Sequence, residues 1–109
     1  METVLAMGPF KIVAHNGRHG LFMENKEMDW FPTYNEALNL AQNLMIGVNA
    51  SENDPMVGTK KFCPSSVGNG QLVIVVGKSA NGYRVQPVGK TTLMEVSKDF
   101  LSDPPGDYR

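Results

Sequence analysis

Phe10 to Ala14 alternates and is rich in strand formers, Leu21 to Glu24 resembles it, and an Asn-Gly pair stands between the two runs. A period of two marks a half-buried strand, and Asn-Gly is favoured in a two-residue type I′ turn because both central positions need positive φ. Centring the turn on Asn16-Gly17 pairs His15 with Arg18, Ala14 with His19, Ile12 with Leu21 and Phe10 with Met23. One face then collects Phe10, Ile12, Ala14, His19, Leu21 and Met23, an apolar surface. The other collects Lys11, Val13, His15, Arg18, Phe22 and Glu24, which is mixed. Successive side chains alternate faces, so His15 and His19 point to opposite sides and do not converge on one ion. The "AHNGRHG" stretch therefore reads as a hairpin before it reads as a metal or acid-base site.

Asp29-Trp-Phe31 follows as a third short strand. Thr33 and Glu36 then form a Thr-x-x-Glu capping box, and Ala37, Leu40, Ala41, Leu44 and Val48 keep helical spacing. A helix is predicted over 34–46, with Gly47 as its stop. From 47 to 70 the pattern dissolves into Gly, Asn, Ser and Pro. The stretch reads either as a long functional loop or as a connection hiding a short strand around 57–62. Gln71-Leu-Val-Ile-Val-Val76 is an aliphatic run suited to a central strand covered on both faces. Asn81-Gly82 repeats the turn signal, and Tyr83–Val88 pairs back, with Pro87 at the end of its pairing. Over 91–101, Thr92 and Glu95 form a second capping box with Leu93, Val96 and Phe100 at helical spacing. A short helix is the preferred reading there, and a strand the alternative. Residues 102–109 read as a polar, flexible tail. The order β-β-(β)-α-loop-β-β-(α) predicts a single α+β domain over 1–109, an antiparallel sheet of about four to five strands with one main helix on one face.

The chain has 109 residues, 41% of them apolar and 19% charged, as in an ordinary folded domain. No apolar run approaches the roughly 20 residues of a membrane helix. "METVLAMGPF" lacks the basic start and apolar core of a signal peptide, so a cytoplasmic location without membrane contact is expected. Cys63 is the only cysteine, which rules out an internal disulfide. The net charge of −1 hides an uneven layout. Residues 1–54 hold three basic and seven acidic side chains, whereas 55–94 hold five basic and no acidic ones. Such segregation suits an anionic partner or self-association.

Catalytic equipment is thin. A nucleophile–base pair would bring Cys63 or a serine to His15 or His19, and nothing in the sequence does so. His15, His19, Glu24, Asp29 and Asp54 show no metal-ligand spacing. Gly68-Asn-Gly70 precedes a strand where a phosphate loop would follow one. The expectation is a binding protein without enzymatic activity, cofactor or metal; a small hydrolase or metal-dependent enzyme is the remote alternative. Lys60, Lys61, Phe62, Lys78, Tyr83 and Arg84 form the candidate partner-binding set, a basic rim with stacking rings. A pI near 6.1 weighs against nucleic acid as the main partner. Seven methionines and the Trp30-Phe31 pair suit an adaptable protein interface, including a homodimer. Trp30, just before a helix, is expected to pack beneath it.

The motif Phe31-Pro-Thr-Tyr-Asn-Glu-Ala-Leu-Asn-Leu-Ala41, led by the strands from Phe10, resembles small bacterial and phage domains with an aromatic-x-Thr-x-x-Glu-Ala-x-x-x-Ala helix. Uncharacterised single-domain bacterial proteins and the arm-binding domains of phage-type integrases share this pattern. The resemblance spans residues 10–44 and implies a sheet-plus-helix fold in an accessory or regulatory protein. Its integrase-like version implies DNA contact by basic side chains on the open sheet face. Here that face offers Lys11, His15 and Arg18, balanced by Glu24.

Overall fold

The computed structural model describes residues 2–50, 54–63 and 70–103. Among them are eight strands and one α-helix: β1 (Glu2–Met7), β2 (Phe10–His15), β3 (Arg18–Met23), β4 (Lys26–Phe31), α1 (Tyr34–Ala50), β5 (Lys60–Cys63), β6 (Gln71–Ser79), β7 (Gly82–Pro87) and β8 (Met94–Val96). A single 3₁₀ turn, Lys98–Phe100, follows. The protein is α+β with antiparallel sheets, as expected. Its strands divide, however, into two four-stranded meanders, β1-β2-β3-β4 and β5-β6-β7-β8. Helix α1 packs on β2, β3 and β4 of the first sheet and on β6 of the second.

The first hairpin keeps the expected register, His15 opposite Arg18 through Phe10 opposite Met23, with Asn16 at φ 53° and Gly17 at φ 77°. Two neighbouring turns follow the same logic with other residues. Gly8, at φ 59° before Pro9, turns β1 into β2, and Glu24-Asn25, at φ 51° and 68°, turns β3 into β4. Strand β1 adds the first sheet's fourth strand and carries a bulge at Val4, between the Thr3–Val13 and Leu5–Ile12 pairs.

Phe10, Ile12, Leu21, Met28 and Phe31 from the first sheet meet Ala37, Leu40, Ala41 and Leu44 of α1 and Ile74 and Val76 of β6 in one core. The opposite face of the second sheet builds a smaller one from Cys63, Val73, Val75, Tyr83 and Val85. Strand β6 is thus covered on both faces, as its unbroken aliphatic run requires. The helix start is the capping box: Thr33 Oγ1 accepts from Glu36 N at 3.3 Å and donates to Glu36 Oε1 at 2.9 Å.

Three expectations are corrected. Gly47 does not stop α1, which runs on to Ala50; a Cβ there would stand 1.6 Å from Val76 O, so glycine serves helix–strand contact. Of the two readings of 47–70, the hidden short strand is present as β5, paired with β6 after the end of α1 and a turn at 55–58, while 51–53 and 64–69 lie outside the described residues. Over 91–101 the chain forms β8 and a single 3₁₀ turn in place of the expected helix, because Met94 and Val96 cover the second core. The second hairpin also turns one residue early, at Ala80-Asn81. Gly82 already pairs with Ser79, and a Cβ on it would meet Val96 O at 2.1 Å. Pro87 ends β7 beyond the last pair with β8. Residues 104–109 of the expected tail lie outside the described residues.

Candidate binding surfaces

Helix α1 covers one face of the first sheet, and no described element covers the other. Cross-strand pairing places Lys11 beside Phe22, Val13 beside Gly20, His15 beside Arg18 and Gly20 beside Trp30 on that outward face. The Trp30 ring lies on Gly20, where any Cβ would stand 2.7 Å from it. Phe22 meets the indole edge-on at 6.1 Å between centroids and His15 does so at 6.4 Å. Lys11 Nζ stands 5.8 Å over the Phe22 ring, and Arg18 Nη2 donates to Trp30 O at 3.3 Å. The result is a row of rings flanked by cations. The expectation that Trp30 packs beneath the helix is corrected: alternation along β4 gives that place to Phe31, which is 1% exposed, and leaves Trp30 half-buried outside.

At the β4 edge the two sheets enclose a cleft of about 440 Å³. Arg18 and Trp30 line it from the first sheet, Lys60 and Leu72 from the second, and Val88 and Gly89 from the connection after β7. Asp29 is buried in its wall. Its Oδ1 accepts from Trp30 N at 2.8 Å and its Oδ2 from Gly89 N at 2.7 Å, a bond that ties the two sheets together. Burial pushes the Asp29 carboxyl above the ordinary value of 3.8. The two backbone donors, Lys60 and Arg18 pull it down without cancelling that effect. A folded-state pKa above the unfolded one adds stability below 3.8 and loses it as the pH rises through the folded value. Urea unfolding should therefore show the native protein gaining stability over Asp29→Asn as the pH falls from neutrality towards 3.8. A difference independent of pH would contradict this.

The six residues of the expected rim are dispersed. Lys78 Nζ lies 3.6 Å from Asp54 Oδ2, and the buried Tyr83 donates its hydroxyl to the same oxygen at 3.0 Å. The Met56 N–H, Tyr83 and Lys78 hold the Asp54 carboxyl below its ordinary value; burial, then the Asp54 charge, raises Tyr83. Lys61 pairs with Asp103 at 2.6 Å on the Val73 side of β5, and the Lys61 ammonium lowers the Asp103 carboxyl. Lys60 is on the opposite side of β5, in the cleft. Phe62 lies over Gly70 and its backbone pairs with Ser102. Arg84 is exposed beside Asn43, Ile46 and Leu93. Thus the fold joins Lys78 and Tyr83 at Asp54 and places the other four elsewhere.

His15 and His19 face opposite sides of the first sheet, the latter edge-on to Tyr34 at 5.9 Å. Cys63 is buried in the second core. Among the described residues no three His, Cys, Asp or Glu side chains stand close enough to hold a metal ion, and no helix is long and apolar enough to cross a membrane. Fold and surfaces together define a small two-sheet α+β protein with an uncovered aromatic face. Comparison with family models, curated proteins and solved structures found no match.

Proposed function

We propose that this chain is a non-catalytic binding module that acts through protein–protein contact, with two copies joined along β1. The contrast among strand edges carries the reading. An edge with unpaired N–H and C=O groups templates further pairing unless it is blunted. At β4, Asp29 takes the Trp30 N–H and Arg18 takes its C=O. At β5, Phe62 and Ser102 exchange two backbone bonds of 2.8 and 3.0 Å. Strand β8 has only three residues. Strand β1 has six and carries no Lys, Arg or Pro; its only interruption is the bulge at Val4, which leaves that side chain 42% exposed.

Antiparallel β1–β1 pairing is self-complementary, as two-fold symmetry demands. It would create one eight-stranded sheet with both aromatic faces on the same side and both helices on the other. Trp30 and Phe22 with Arg18 beside them suit the centre of a protein interface. Separation of the two histidines and burial of Cys63 support the non-catalytic part of the reading. Sedimentation equilibrium tests it. The native protein should show twice the 11.9 kDa chain mass, and Val4→Lys the single mass, with Val4→Thr as a folded control that still pairs. A native protein that stays monomeric at millimolar concentration would end the proposal.

Lys11 over Phe22 and Arg18 beside Trp30 favour a second reading, in which the same face stacks single-stranded nucleic acid. That reading requires oligonucleotide binding that weakens steeply with salt. Fluorescence anisotropy at two salt concentrations separates it from the first.

A further inference from the structure

The cations of the second sheet divide into spent and unspent. Lys61 and Lys78 each have a carboxylate within ion-pair distance, at 2.6 and 3.6 Å. Lys60 has no hydrogen bond or ion pair among the described residues. Arg18 of the first sheet makes one bond to a backbone carbonyl and has no carboxylate partner. Lys60 and Arg18 line the same cleft, whereas Arg84, which also has no ion pair among the described residues, lies away from it beside Asn43 and Ile46. The buried Asp29 carboxylate acts on both through space but makes no ion pair with either, because its oxygens are turned to the Trp30 and Gly89 N–H groups. Glu27 adds one acidic group at the lip.

The rest of the lining is mainly apolar, Met28, Leu72, Val88 and the ring of Trp30, with Gln71 as a further polar side chain. Small-molecule sites are concavities of roughly 300–1,000 Å³ with apolar walls and a few convergent polar groups. At about 440 Å³ the cleft is of that kind. Two positively charged donors in a mainly apolar lining match an anionic head on an apolar body. The guanidinium fork also accepts a carboxylate in two parallel bonds. Asp29 and Glu27 together offset the charge of Arg18 and Lys60, so the cleft takes an anion through placed donors and not through net charge, which favours a monoanion over a dianion.

We propose that the inter-sheet cleft binds a small organic monoanion, a carboxylate on an aromatic body, with Arg18 and Lys60 on the carboxylate and Trp30 against the ring. The site lies at β4, the far edge of the first sheet from β1, so it stands or falls independently of pairing between copies.

Trp30 is the only tryptophan, so its emission reports on the cleft directly. The test titrates the full chain with 3-phenylpropionate, with 3-phenylpropanol as the uncharged probe and phenyl phosphate as the dianionic one. The expected result is a saturable change with 3-phenylpropionate, and about tenfold weaker binding for the alcohol, as loss of charge-assisted bonds implies. Lys60→Gln and Arg18→Gln should each weaken the carboxylate about tenfold and leave the alcohol unchanged. Circular dichroism checks that both variants are folded, and Lys61→Gln, outside the cleft, should bind like the native chain. The proposal is overturned by no saturable change up to tens of millimolar. It is equally overturned by equal affinity for acid and alcohol, by variants that bind undiminished, or by tighter binding of phenyl phosphate.

Discussion

Gly47→Ala is expected to destabilise the protein by about 3 kcal/mol, the upper range for overpacking a well-filled core. Helix propensity argues the other way, since alanine in a helix interior is better than glycine by about 1 kcal/mol. The contact decides which effect wins. A Cβ on Gly47 would stand 1.6 Å from Val76 O, 2.7 Å from Val76 C and 3.1 Å from Gly77 Cα. These are backbone atoms of β6, so no rotamer change relieves the overlap. Either α1 lifts away from β6 or β6 bends, and both open the core that Leu44 and Val76 share. Gly17→Ala is the informative comparison. Gly17 sits at φ 77° with open space around it, so only the left-handed backbone penalty of about 1–2 kcal/mol applies. Urea denaturation followed by far-ultraviolet circular dichroism measures both. If Gly47→Ala matched the native midpoint, α1 would not lie on β6 as described.

What the sequence makes legible is what local rules decide. The period-two runs around Asn16-Gly17 specify both the register of β2 with β3 and the separation of the histidines. The Thr33–Glu36 box specifies where α1 begins. The aliphatic run from Leu72 shows that β6 is buried on both sides. Legibility fails where a residue answers to a distant element. Gly47 reads as a helix stop and Gly82 as a turn residue, yet both are glycine because another backbone passes too close for a Cβ. Thr92 and Glu95 make as good a capping box as Thr33 and Glu36. Burial of Met94 and Val96 against the second core overrides it, and Leu93 and Phe100 stay exposed. The candidate sites fail for a related reason. Lys60 and Lys61 are adjacent in sequence and so face opposite sides of β5, one into the cleft and one to Asp103. The cleft itself joins Asp29 to Gly89 across sixty positions, which no spacing rule reveals. On the outward face the side chains of β1, Glu27 and Trp30 were hidden, β1 because no alternation marks it and Trp30 because the shift in pairing between Leu21 and Phe22 sets its side of β4.

Phe31→Ala should cost about 3–5 kcal/mol, and Trp30→Ala markedly less, although Trp30 is the larger side chain. Phe31 is 1% exposed and lies in the core with Leu40, Leu44 and Ile74, where the first sheet, α1 and the second sheet meet. Its removal leaves a cavity bounded by three elements, none of which collapses into it without dragging the other two. For a domain whose whole stability is about 5–15 kcal/mol, such a loss brings the folded state near its threshold. Trp30 covers Gly20 from outside and meets Phe22 and His15 edge-on, pair contacts worth about 0.5–1.5 kcal/mol each at best. Water fills the space it leaves at no cavity cost. Denaturation must be followed by circular dichroism, because Trp30→Ala removes the only indole. A midpoint lower for Trp30→Ala than for Phe31→Ala would invert the faces of β4. It would turn the aromatic row inward and remove the outward surface on which protein contact depends.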